Sequence, residues 1–348
     1  MGEWQPDVLG PPFEQRTLRL GAEAGAETGT EAGAEGSTEV VATLVRYAGA
    51  PRPWPWLAAH GADVLYVHGW SDYFFQTELA RFWWRQGARF HALDLRRYGR
   101  SLREGQTPGF ITDLATYDQD IAAALAAMGR GRAGGHPERP LILMGHSTGG
   151  LTLSLWAARH RGVASAIVLN SPWLEFQTGQ LGRDVLAPLV GLHARFAPEG
   201  RMPVVDLGFY TRSVSSSRLG EWDYDPAWRP ERGFALHPAW LRAVLSGHER
   251  VAHGLRLDIP VFTMLSARSL IAPVWSDAML SADTVLDVDG VARRATDLGS
   301  LVTVARFEGA LHDILLSARA VRADAYAAMA RWLRYALNDD PRSYPSRG

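Results

Sequence analysis

The sequence predicts an α/β fold: a mostly parallel sheet with helices on both faces, interrupted by one inserted segment. Three observations predict it. Strand-like and helical runs alternate along most of the 348 residues, and such alternation sets strands parallel and covers both faces of the sheet. A serine sits on a Gly-rich turn between an apolar strand and a helix, in "LILMGHSTGGL" (141–151). The rhythm then lapses from 171 to 258 and resumes with "IPVFTMLSA" (259–267). That is the pattern of a cap spliced between two strands.

Residues 21–38, "GAEAGAETGTEAGAEGST", hold nothing to bury and are expected to form a solvated, flexible loop between two early strands. "EVVATLVRY" (39–47) and "ADVLYVHGW" (62–70) are rich in β-branched residues and bounded by Gly and Pro, the marks of strands. "QTELARFWWRQG" (76–87) spaces its apolar residues as a helix does and stops at a glycine. A strand in "ARFHALDLRRYG" follows, then a helix over 112–129 with Thr112 as its N-cap. "PLILMGHS" reads as a strand, "LTLSLWAARH" as a helix and "VASAIVLNSPW" (163–173) as a strand. After the break, strands are expected in 259–267 and in "LVTVARFEGALHD" (301–313), and a helix in "RAVRADAYAAMARWLRYAL" (319–337). The expected division is a core of 1–170 and 259–348 carrying a cap of 171–258.

Bulk properties exclude several functions. A formal net charge of -1 provides no field to attract nucleic acid or an anionic membrane. No 18 uncharged apolar residues run together and "MGEWQPDVLGPPFEQ" lacks the pattern of a secretory signal, so a cytoplasmic protein without membrane insertion is expected. The absence of cysteine removes disulfides, thiolate metal sites and a cysteine nucleophile. All 36 cations are arginine, which also removes a lysine nucleophile or Schiff base. No histidine and carboxylate cluster has metal-ligand spacing, and "DVDG" (287–290) is too short for a calcium loop. Neither a metal nor an organic cofactor is expected.

The serine turn carries the chemistry. Gly145-His146-Ser147-Thr148-Gly149 follows a strand and precedes a helix, the context of a nucleophile elbow. A serine hydroxyl needs a base within reach. His312 lies after a late strand and a short Gly-containing loop, which returns it to the same end of the sheet as Ser147. His146 is the rival by proximity and reads better as packing beside the turn. An orienting acid is sought between serine and histidine, yet "SARS" (266–269) offers none where the strand ends. Asp283 is chosen, 29 residues before His312, with Asp287 as its main competitor and Asp277 and Asp289 nearby.

With these residues placed, the chain resembles the α/β-hydrolases, close to the monoacylglycerol lipase and lysophospholipase-like branch of serine aminopeptidase S33 type. The matching stretches are "VLYVHGW" with His68-Gly69, "LDLRRYGRS" (93–101), which is similar to the family's D-x-R-G-x-G-x-S segment, "GHSTGG", and "ADTVLDVDGV" with "GALHDILLS". Arg97 stands where that segment usually has glycine, and Arg268 to Ser281 form an insertion before the proposed acid. The resemblance implies an oxyanion hole on the backbone amides of Trp70 and Thr148, an acyl-enzyme on Ser147, and a small-molecule acyl ester as substrate. Three alternatives remain open: an aminopeptidase or amidase, whose amine would be met by Glu175, Glu199 or Asp206, acyl transfer to an alcohol other than water, and a hydrolytically silent binding protein. The ten aromatic residues of the 171–258 segment barely exceed the chain-wide 10%. They do not by themselves argue for a lipid tunnel.

Overall fold

Four largely apolar runs, DVLYV, LILMGH, AIVLN and VFTMLS, are buried along their whole length and form the middle of one sheet. Strands covered on both faces require that composition. The computed structural model describes residues 2–21, 39–50, 52, 54–130, 139–176, 190–191, 194–195, 197–202 and 206–337. The expected loop at 21–38 therefore lies, beyond Gly21, outside the described residues.

In chain order the strands are β1 (Gln5–Pro6), β2 (Phe13–Gly21), β3 (Val40–Tyr47), β4 (Asp63–Val67), β5 (Arg89–Asp94), β6 (Leu141–His146), β7 (Ala166–Asn170), β8 (Val261–Ser266) and β9 (Val302–Phe307). The helices are α1 (Thr77–Arg85), α2 (Tyr117–Ala127), α3 (Thr148–Arg159), α4 (Phe209–Val214), α5 (Pro238–Ala252), α6 (Val288–Ala295) and α7 (Arg319–Ala336). The sheet runs β1-β2-β3-β5-β4-β6-β7-β8-β9. Its first four strands pair antiparallel, and those from β5 onward pair parallel.

Alternation along each strand divides the core into two layers. On β4, Val64 and Tyr66 pack with Leu79 and Trp83 of α1 and Met329 of α7, whereas Leu65 and Val67 face Ile121 of α2 and Leu151 of α3. The helix expected over 112–129 is shorter, spanning Tyr117–Ala127, and the carboxylate of Asp113, not Thr112, accepts the Ala115 amide ahead of it. A 3-10 turn, Leu114–Thr116, follows that cap before α2 begins at Tyr117. Among the described residues no helix is long and apolar enough to cross a membrane.

The sheet order fixes where a ligand can sit. Strand β4 has β5 on one side and β6 on the other, so the direction of winding reverses there. A crevice opens at the carboxyl ends of strands at such a reversal. Between β7 and β8 the chain leaves the sheet, and that excursion carries α4 and α5. The segment expected as a cap, 171–258, falls within it. Residues 177–189 of that segment lie outside the described residues.

One core histidine sets a pH dependence. Burial pushes His91, on β5, down from 6.5 to about 4. The unfolded chain takes up this proton near pH 6.5 while the folded protein resists it, so stability present at neutral pH is lost as pH falls toward 4. Between pH 7.5 and 4.5 the loss is about 2–3 kcal/mol. His91→Leu is expected to remove that part of the slope in urea unfolding at the two pH values. Equal slopes in both proteins would rule this out.

Candidate active site

Ser147 stands between the end of β6 and the start of α3 with φ +51, in the left-handed region where a side chain is strained. Surrounding structure holds it there. Its amide donates to the Asn170 carbonyl at 3.1 Å, and its carbonyl accepts from the amides of Gly150 at 3.0 Å and Trp173 at 3.0 Å. Glycines on both sides are needed for close approach. A Cβ on Gly145 would lie 2.6 Å from the backbone of Gly149 and Gly150, and one on Gly149 would run into the carbonyls of Val67 and His68. Helix α3 is thereby pressed against the end of β4.

His312 follows β9 and reaches the same cavity wall as Ser147. Its Nδ1 donates to Asp283 Oδ2 at 2.9 Å, and the two side chains are 3% and 0% exposed. That bond leaves Nε2 as the ring nitrogen for a hydroxyl. No hydrogen bond joins Ser147 Oγ to His312 among the described residues; the two share the cavity. Asp283 Oδ1 accepts from the amides of Val285 at 2.7 Å and Leu286 at 2.8 Å, so the carboxylate is fixed from both sides.

The insertion before Asp283 returns to its starting point. The Asp283 amide donates to the Arg268 carbonyl at 3.0 Å, and the Leu270 amide donates to the Asp283 carbonyl at 2.7 Å. A bridge between Ser269 and Asp283 closes the neck of this loop. The carboxylate is thus delivered to the end of β8, where the sequence holds Ser266-Ala267 and no acid. Asp287 is elsewhere engaged: it caps α6, with its Oδ1 accepting the Asp289 amide at 3.1 Å.

His146 differs from His312 in its partner. Its Nδ1 donates to the Asn170 carbonyl at 3.1 Å, and burial pushes its pKa down. The ring packs 5.0 Å from that of His312. Trp70 follows Gly69, where a Cβ would sit 3.1 Å from Ser147 Cβ, so the backbone after β4 runs directly beside the serine. Thr148 is the first residue of α3, and an amide in that position has no acceptor within its helix. Arg97, where the resemblance leads one to expect glycine, takes φ +64 and ties its Nη1 to the Phe110 carbonyl at 2.9 Å.

Ser147, His146, His312 and Trp70 line a cavity of about 440 Å³ together with Trp173, Trp240, Leu236 and Val285. Of the three acids considered for an amine, Asp206 lines this cavity. Glu175 is instead ion-paired with Arg294 at 2.5 Å. Among the described residues no group of three or more His, Asp or Glu side chains could hold a metal ion.

Sequence reasoning misses four polar groups here. Asp313 Oδ1 accepts from Asn170 Nδ2 at 2.5 Å and from the Leu315 amide at 2.9 Å, and Asn170 Oδ1 accepts the Ile314 amide at 3.1 Å. The end of β7 thereby clamps the loop that carries His312. An acid directly after the histidine was the available signal. Asp72 and Arg229, both in the cavity wall, form a buried ion pair at 3.2 Å that no local pattern announces.

A family model described as serine aminopeptidase, S33, matches residues 58–318, well over half of the chain. A monoacylglycerol lipase of Mycolicibacterium smegmatis is 30% identical over 164 residues, covering 47% of this chain and 55% of that protein. The match thus spans about half the length of the curated relative. A soluble variant of monoglyceride lipase from Saccharomyces cerevisiae, solved with a substrate analog, has a TM-score of 0.56 at 17% identity over 85% of this chain and 91% of that one. The monoacylglycerol lipase of Paleococcus ferrophilus has a TM-score of 0.55 at 17% identity over 78% and 94%. With the family model matched from the end of the early strands to the loop of His312, the chain belongs to the serine aminopeptidase, S33, family of hydrolases and has the α/β-hydrolase fold.

Proposed function

We propose that this protein hydrolyses carboxylic esters through an acyl-enzyme on Ser147, acting on small acyl esters of the monoacylglycerol or lysophospholipid kind. The observation that carries the reading is the 2.9 Å bond from His312 to the doubly anchored Asp283, in a cavity that also exposes a serine on a strained turn. His312 Nε2 takes the Ser147 proton as Oγ attacks the acyl carbonyl, and Asp283 holds the tautomer with hydrogen on Nδ1. Charge gathers on the carbonyl oxygen, where the Trp70 and Thr148 amides stabilise it without reorganising. The imidazolium returns its proton to the departing alcohol. Water, deprotonated by the same His312, then releases the acid and restores the serine.

An aminopeptidase reading is kept because Asp206 faces the cavity and could meet a free ammonium. One panel separates the two: p-nitrophenyl esters from acetate to palmitate against aminoacyl p-nitroanilides. Ester turnover with an optimum in chain length, and none of the anilides, is expected. Anilide turnover exceeding that of every ester would replace the esterase reading.

A further inference from the structure

The loop that leaves β4 is tied down one residue at a time from a distant part of the chain. Ser71 has φ +53, a conformation that a non-glycine residue keeps only when its surroundings hold it. Its Oγ accepts the Phe234 amide at 3.1 Å. Asp72 Oδ1 meets Arg229 Nε at 3.2 Å, with each side chain 5% exposed. The hydroxyl of Tyr73 accepts the Asp225 amide at 2.8 Å. Three consecutive residues are thus fastened to residues 225–234 of the excursion between β7 and β8.

Aromatic rings complete the joint. The Arg229 guanidinium lies over Tyr224 at 4.6 Å, Tyr210 at 5.1 Å and Phe75 at 5.8 Å. Trp228 meets Tyr73 edge to face at 5.1 Å. Burial alone would lower the pKa of Arg229, but Asp72 and the tyrosines outweigh it and hold the pKa above its ordinary value. A buried ion pair of this kind contributes little net stability, since desolvating both charges offsets their attraction. Together with the Ser71 and Tyr73 hydrogen bonds it ties the loop in one place. That fixed position is needed two residues upstream of Asp72, at Trp70, because an oxyanion donor acts only at about 2.7–3.1 Å from the developing charge.

We infer that Arg229 is a positioning residue for oxyanion stabilisation: through Asp72 it anchors the loop that aims the Trp70 amide at the carbonyl oxygen. Residues 225–234 therefore complete the reactive geometry as well as cover the cavity. The inference rests on the esterase reading and its assignment of Trp70. The rival role for Arg229 is direct contact with substrate, since the residue lines the cavity and its Nη1 has no hydrogen-bond partner among the described residues. Tyr73 separates the two roles, because it belongs to the same joint but is not among the cavity-lining residues.

The test compares wild type, Arg229→Met, Arg229→Lys and Tyr73→Phe for kcat and KM on p-nitrophenyl butyrate, inhibition by an alkyl trifluoromethyl ketone, and thermal unfolding. Displacing the loop by about 1 Å is expected to lower kcat by about 10- to 100-fold in Arg229→Met, with KM held within about twofold. Tyr73→Phe should lower kcat severalfold. Inhibition by the ketone, whose adduct carries the oxyanion, should weaken in proportion to kcat/KM, and Arg229→Lys should recover part of the loss. A raised KM with kcat preserved in Arg229→Met, together with a silent Tyr73→Phe, overturns the inference in favour of substrate contact. Should Arg229→Met fail to fold, an unchanged kcat in Tyr73→Phe overturns it alone. Failure of the wild type to react with a fluorophosphonate removes the esterase reading itself, and the inference with it.

Discussion

Replacing Ser147 by alanine is expected to abolish labelling by a fluorophosphonate and to lower kcat on p-nitrophenyl butyrate by about 10⁶-fold. The size follows from the division of labour in the site. Without Oγ there is no acyl-enzyme, and His312 is left facing a cavity in which any attacking water is unplaced. In the proposed mechanism the amides at Trp70 and Thr148 would still bind the oxyanion, so a residual rate above uncatalysed hydrolysis is expected. Nearby hydroxyls are poorly placed to substitute: Thr148 begins α3 and is not among the cavity-lining residues, and Ser71 is engaged by the Phe234 amide. Full labelling of the alanine variant would move the nucleophile to another residue.

The second large effect is expected at Asp283. Asp283→Asn should lower kcat by about 10⁴-fold, and the hydrogen bonds of the carboxylate explain why. Oδ1 accepts two backbone amides, from Val285 and Leu286, so the oxygen of an asparagine would remain on that side. Its NH₂ would then face His312 Nδ1. A donor there forces the imidazole to carry its hydrogen on Nε2, the nitrogen that in the proposed mechanism accepts the serine proton. Labelling rates measured from pH 6 to 9 would test this. A variant retaining more than a tenth of wild-type kcat would show that the acid lies elsewhere, and Asp287→Asn serves as the control expected to keep activity.

Legibility in the sequence follows the range of the forces involved. Strands such as Leu141–His146 and Val261–Ser266 stand out because each side chain is buried, which leaves an apolar run. The turn at Ser147 is equally visible, since close approach of β4 and α3 leaves room only for glycine at 145 and 149. Ahead of α2 the sequence points to Thr112 as a cap, whereas Asp113 caps a short 3-10 turn and α2 begins only at Tyr117. The acid was harder to place. Among Asp277, Asp283, Asp287 and Asp289, the partner of His312 is settled by backbone hydrogen bonds that close a loop from Arg268 to Asp283. Spacing along the chain does not encode such a closure. Asp72 and Arg229 lie still further from view, because their pairing depends on how the excursion folds back over the sheet.

The tied neck of that loop separates two properties that usually vary together. Closing a loop costs free energy that grows only slowly with its length, so residues beyond the neck can be added or removed while the carboxylate stays at the end of β8. Ile271 and Ala272, just past the neck, line the cavity. The entrance can therefore diverge among descendants of this chain, or under a designer's hand, while the Asp283–His312 pair stays where it is.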